Sequence, residues 1–179
     1  QSLIDKGADV NHLNVEGLSL LHLATPEKSF SKIANRYYLL IKNGANIEIT
    51  NQDEQTPLHT ATSNCNVEAI KFFLKNGANI DAMDKNGNTP LMLAIDSSKE
   101  KISDIISLLI EYGTDIEKQN KKGETPLHRA ICNNNINGLR ALLKSGSNAN
   151  QINENTGNAA LHISAKSKSE AQAIIRDQL

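Results

Sequence analysis

The sequence predicts an all-α repeat solenoid, a row of short helices made from one unit used several times. Three observations carry that expectation. The first is a motif that recurs with small changes: "QTPLHTA" at 55–61, "NTPLMLA" at 88–94 and "ETPLHRA" at 124–130, with looser copies "LSLLHLA" at 18–24 and "NAALHIS" at 158–164. Its threonine or stand-in falls at Ser19, Thr56, Thr89, Thr125 and Ala159, at intervals of 37, 33, 36 and 34. The second is a glycine marker, "DKGAD", "KNGAN", "KNGAN", "EYGTD" and "KSGSN", whose glycines Gly7, Gly44, Gly77, Gly113 and Gly146 are spaced 37, 33, 36 and 33. Two independent markers in phase over the chain are the signature of a repeat array. The third is composition: only 3% aromatic with no tryptophan, so the apolar supply is Leu, Ile and Ala, which suits small helices packed side by side.

Each element follows from its residues. Residues 3–13 read as the tail of a unit, so the chain is expected to be a fragment of a longer protein. Units then run over about 14–50, 51–83, 84–119 and 120–152, with partial units at 1–13 and 153–179, all in one domain, 1–179. Thr56, Thr89 and Thr125 can cap a helix through a side-chain oxygen. Pro57, Pro90 and Pro126 then take the first helical position, where a missing N–H costs nothing. Leu58 and Ala61, three apart, mark one buried face, and Ile70, Phe73 and Leu74 form the stripe of a second helix. Gly77 follows, where the helix stops in a left-handed residue.

The copies also differ. Unit one carries about four extra residues in "PEKSFSKIANRYY" and unit three carries three in "DSSKEKISD", both between the two helices. Surface loops accept such length changes cheaply. Glu54 and Cys65 stand where glycine is expected. Ala159 and Ala160 replace Thr-Pro, so the last unit is expected to lose a cap and to be the softest part of the array.

The pattern resembles the ankyrin repeat, whose units run D-x-x-G-x-T-P-L-H-x-A, then an apolar stretch ending L-L-x-x-G-A-D-V-N. Residues 51–83 and 120–152 match at the family's 33-residue length. The resemblance implies an ankyrin-repeat solenoid: a stack of antiparallel helix pairs with β-hairpin loops projecting to one side, about four full repeats plus partial repeats at both ends. It also implies that His22, His59, His128 and His162 hydrogen-bond to nearby backbone and tie adjacent loops together. Packing of helices about 8–10 Å apart sets these histidines too far from one another for zinc, whose nitrogen ligands sit within about 2.0–2.1 Å. Met92 takes the histidine's place in unit three, which no repeated metal or catalytic role would permit.

No catalytic or cofactor motif is present: no phosphate loop, no G-x-S-x-G, no H-E-x-x-H and no C-x-x-C. The expectation is therefore a protein that is not an enzyme and holds no metal or cofactor. Net charge is −1, without the basic footprint of a nucleic-acid binder. No apolar run is long enough to span a bilayer, so neither nucleic acid nor membrane is expected as a partner. Cys65 and Cys132 provide no disulfide framework, which points to a reducing, intracellular compartment. The pair Asp81 and Asp84 in "DAMD" reads as turn chemistry. Of Tyr37-Tyr38 and Phe72-Phe73, one of each pair is expected in the core and the other on the convex side.

The resemblance implies a protein–protein interaction module, a monomeric scaffold or adaptor binding a protein through its concave face and hairpin tips. The tips offer Val15-Glu16, Gln52-Asp53, Lys85-Asn86, Lys121-Lys122 and Glu154-Asn155, passing from acidic toward basic. Leu13, Val15, Leu18 and Met83 add apolar anchors. The expected protein-binding residues are Leu13, Val15, Gln52, Asp53, Met83, Lys85, Asn86, Lys121 and Lys122, positions expected to be free of architectural duty. Two other readings are compatible with the sequence: the targeting domain of a larger enzyme or channel, and a pathogen or viral host-interaction effector, which the Asn-, Lys- and Ile-rich composition allows.

Overall fold

A computed structural model describes residues 6–23, 30–97, 102–160, 162–163 and 173–174. Eight helices follow one another among them: α1 (Leu20–Leu23), α2 (Phe30–Lys42), α3 (Pro57–Ser63), α4 (Val67–Lys75), α5 (Pro90–Asp96), α6 (Ile102–Glu111), α7 (Pro126–Cys132) and α8 (Ile136–Lys144). They pair in chain order, α1 with α2, α3 with α4, α5 with α6 and α7 with α8. First helices then pack in a row, α1 on α3, α3 on α5 and α5 on α7, while α2 meets α4 and α6 meets α8 behind them. The molecule is an all-α repeat solenoid.

The helix starts are set by the expected chemistry. Thr56, Thr89 and Thr125 are extended at ψ 166, 164 and 166°, and each accepts a hydrogen bond from the backbone N–H three residues on. A proline follows each, where its fixed φ suits the helix and its missing N–H is not needed. The second helices α4 and α8 start at Asn66 and Asn135, whose side chains accept from Ala69 N and Gly138 N at 3.0 and 2.8 Å. Gly44, Gly77, Gly113 and Gly146 stop the second helices at φ between 83 and 89°, the left-handed region that glycine enters without a Cβ penalty. Glu54 and Cys65 adopt φ 58 and 57° despite their side chains.

The core runs the length of the row. Leu58, Leu91 and Leu127 from the first helices meet Ile70, Phe73, Ile105, Ile106, Leu109, Leu139 and Leu142 from the second, each essentially inaccessible. Tyr37 and Tyr38 divide as expected, with Tyr37 fully buried and Tyr38 exposed. Phe72 departs from its expected convex role. It is half-buried and stacks on Tyr37 with ring centroids 5.1 Å apart, so three aromatic rings join α2 to α4.

The insertion in unit one lengthens a helix: α2 has 13 residues against 9 in α4 and in α8, a difference of 4. Residues 24–29 lie outside the described residues. In unit three α6 gains one residue over α4, and the remaining extra length falls between Asp96 and Ile102, where residues 98–101 are not described. The softness expected of the last unit falls mostly on residues outside the described set. The described loops around Asn14, Asn51, Asp84, Asn120 and Asn153 are tight turns. Among the described residues the only β pairing is one isolated antiparallel bridge, Ile152 to Ala159.

Candidate interaction surface

Each turn is built around one Asx side chain. Asn14, Asn51, Asp84, Asn120 and Asn153 use Oδ1 to accept two backbone N–H groups just ahead, for example Asn86 N and Asn88 N on Asp84, both at 2.8 Å. A short polar side chain folding onto its own backbone is the usual device of a tight turn. Asp84 is buried at 3% exposure and is spent on this task, so of the "DAMD" pair it is Asp84 that does turn chemistry. Asp81 has a second duty, accepting from Thr114 Oγ1 at 2.7 Å and Asp115 N at 3.0 Å in the next unit.

That second duty recurs along the chain. Asn11, Glu48, Asp81 and Glu117 each accept the backbone N–H of the following loop, at Asn46, Asn79, Asp115 and Asn148, over 2.7–3.0 Å. A signal for it was available in the sequence, since an acceptor side chain stands four residues after Gly7, Gly44, Gly77 and Gly113.

The histidines tie turns together on the other flank. His22 Nε2 meets Gln55 O at 2.9 Å, His59 Nε2 meets Asn88 O at 3.1 Å, and His128 Nε2 meets Asn158 O at 3.3 Å. On the near side His59 Nδ1 accepts from Thr56 N at 3.1 Å, which leaves the proton on Nε2 to donate across the junction. In the last unit His162 Nδ1 accepts from Ala159 N at 3.2 Å, so the ring serves this end even where the capping threonine is gone. Met92 offers no such link. That junction is held instead by Arg129, which donates to Asp96 and to Glu124 Oε2 (2.9 Å), and by Asn135 Nδ2 donating to Ile95 O at 2.8 Å. Burial alone would raise the Glu124 carboxyl, but hydrogen bonds from Asn120 and Arg129 outweigh it and hold it below the usual carboxylate range.

Burial lowers the pKa of His22 and His59 below 6.5, against the opposing pull of their backbone acceptors Gln55 and Asn88. A proton on Nδ1 of His59 would also face the Thr56 N–H. The folded state therefore binds fewer protons than the unfolded chain as pH drops through 6.5. Stability is full above that value and falls below it. Thermal unfolding followed by circular dichroism from neutral pH down to about pH 5 should show the midpoint dropping. His59→Met, the side chain that the array itself uses at position 92, should flatten this acid limb. An unchanged limb would assign the acid sensitivity to His22 or to carboxylates.

The expected binding residues lie on the turns and are exposed: Leu13 (39%), Val15 (98%), Gln52, Asp53, Met83 (42%), Lys85, Asn86, Lys121 and Lys122. Leu18, expected as an anchor, is half-buried instead. The expectation that these positions are free of architectural duty needs correction. Lys85 N donates to Asp53 O at 2.9 Å and its ammonium pairs with the Asp53 carboxylate; the hydrogen bond that Lys85 Nζ donates to Asp53 and the carboxylate's charge raise the Lys85 pKa. Lys121 N donates to Asn86 O at 3.0 Å and its Nζ to Lys85 O at 2.7 Å. Neighbouring turns approach closely enough that a Cβ on Gly87 (φ 77°) would lie 2.7 Å from Lys121 N. The sequence could not show this, because the contacts join residues 32–36 apart through main-chain groups that every residue has.

Among the described residues no group of His, Cys, Asp or Glu is arranged to hold a metal, and no helix is long and apolar enough to cross a membrane. Cys65 and Cys132 are both free, and burial raises the Cys132 thiol pKa.

Helix pairs in a row, with turns cross-bonded along one edge, define a helical repeat protein. The family model for ankyrin repeats, in a form spanning three copies, matches residues 32–120 and 98–176. The chain belongs to the ankyrin repeat family. No curated protein matches it. Ankyrin repeats are in general protein–protein interaction modules.

Proposed function

We propose that this chain is a non-enzymatic, monomeric scaffold that holds a protein partner across its turns and the first helices beside them. The observation that supports the reading is the row of turns itself. Leu13, Val15, Gln52, Met83, Asn86 and Lys122 stand exposed, and the middle turns are cross-bonded through Lys85 N to Asp53 O and Lys121 N to Asn86 O. Side chains displayed on a rigid support lose little freedom on binding, which favours affinity. An extended array of this kind offers a surface along several units at once.

The test is affinity capture, followed by titration of the recovered partner against variants. Lys85 and Lys121 are left intact because they join turns. Met83→Ala combined with Gln52→Ala and Lys122→Glu should leave the circular dichroism unchanged, as exposed substitutions usually cost within about 0.5 kcal/mol. Binding should weaken at least about tenfold, or about 1.4 kcal/mol. Lys75→Glu and Lys144→Glu, at the exposed ends of α4 and α8, should have no effect. The opposite pattern would move the site to the second helices.

A further inference from the structure

The chain holds four Asn-Gly pairs, at 43–44, 76–77, 86–87 and 137–138. Asparagine followed by glycine is the dipeptide best suited to spontaneous deamidation, because glycine has no side chain to shield its nitrogen. Three of the four are restrained. Asn43 and Asn76 donate Nδ2 to the helical carbonyls of Leu39 and Phe72 at 2.7 and 2.8 Å. Asn137 lies inside α8, where Gly138 N is held by Asn135 Oδ1 at 2.8 Å. Asn86, exposed in a turn as Asn43 and Asn76 are, differs in its side chain: its bonds to the described residues run through its main chain, while the Gly87 N–H beside it donates to Asp84 O at 2.8 Å.

We propose that Asn86-Gly87 is a site of spontaneous covalent modification, converting Asn86 to aspartate and isoaspartate. The Gly87 nitrogen gives up its proton and attacks Asn86 Cγ. The N–Cγ bond forms, the Cγ–Nδ2 bond breaks, and the amide nitrogen leaves as ammonia. Water then opens the five-membered imide at either carbonyl, giving aspartate or isoaspartate, with no change of oxidation state. The product places a carboxylate between Lys85 and Lys121 in the row of turns. In the isoaspartate form the main chain also gains one carbon, at the residue whose carbonyl accepts Lys121 N and whose N–H is held by Asp84 Oδ1. The modification stands whether or not the turns bind a partner. If they do, it alters both charge and shape at the middle of that surface.

The experiment holds the whole 179-residue chain in mildly alkaline buffer at body temperature, with a urea-unfolded sample beside it. Protease digestion and mass spectrometry follow all four Asn-Gly peptides, and isoaspartate is read by methyl transfer from a labelled donor. In the folded chain the Asn86 peptide should gain about one dalton several-fold faster than the other three. Asn86→Gln should abolish that early gain together with most of the methyl-accepting signal. Conversion first at Asn43, Asn76 or Asn137 overturns the proposal. So does a folded chain that stays unmodified at Asn86 over the time in which the unfolded sample is converted, since the turn would then protect the pair.

Discussion

Phe73→Ala is expected to lower the stability of the array by about 3–5 kcal/mol, the range for removing a fully buried aromatic ring. Phe73 is inaccessible to solvent and lies against Tyr37 and Phe72 at centroid distances of 4.9 and 5.9 Å. The remaining rings are fixed by α2 and by the helix backbone, so the space left behind cannot simply close. Urea unfolding followed by circular dichroism should show a lower midpoint. Phe72→Ala, which removes a half-buried ring, should cost clearly less. Equal costs would mean that the two faces of α4 are not distinguished as the structure has them.

His59→Ala is the second large effect. It strips Thr56 N of its acceptor and Asn88 O of its cross-junction donor, and Thr56 and Asn88 are both buried. Each buried polar group left unsatisfied costs about 1–3 kcal/mol, so the variant should lose on the order of 3 kcal/mol. His128→Ala should lose a comparable amount, through Thr125 N and Asn158 O. Metal content, measured by elemental analysis, should be unchanged in both. Stoichiometric zinc in the parent protein that disappears from these variants would overturn the structural role.

Much of the fold was legible because it rests on local chemistry repeated in phase. Thr56-Pro57, Thr89-Pro90 and Thr125-Pro126 start helices with their own side chains and fixed φ, and Gly44, Gly77, Gly113 and Gly146 stop them. These signals lie within a few residues of what they control. Phe72 was misjudged because its partner Tyr37 sits 35 residues away in a helix lengthened by an insertion. The exposure of Leu13, Val15 and Met83 was legible from their place in the repeat. The tethering of Lys85, Lys121 and Asp53 was not, since half of it runs through carbonyls and amides that carry no sequence signature.

The side chains that join one turn to the next almost always grasp main chain. Asn11, Glu48, Asp81 and Glu117 take an N–H, and His22, His59 and His128 reach a carbonyl. Every amino acid except proline offers both groups. A unit fitted in this way makes few demands on the identity of the residues beside it, and behaves as an interchangeable part. Such a gene can duplicate, drop or shuffle a segment of one period without first matching mutations across the seam. Two junctions add a matched pair to their main-chain links: Asp96 with Arg129 after Met92, and Asp53 with Lys85 one unit earlier. A cut at either would separate two halves that were fitted to each other, whereas a cut at the His22 junction would part a standard coupling.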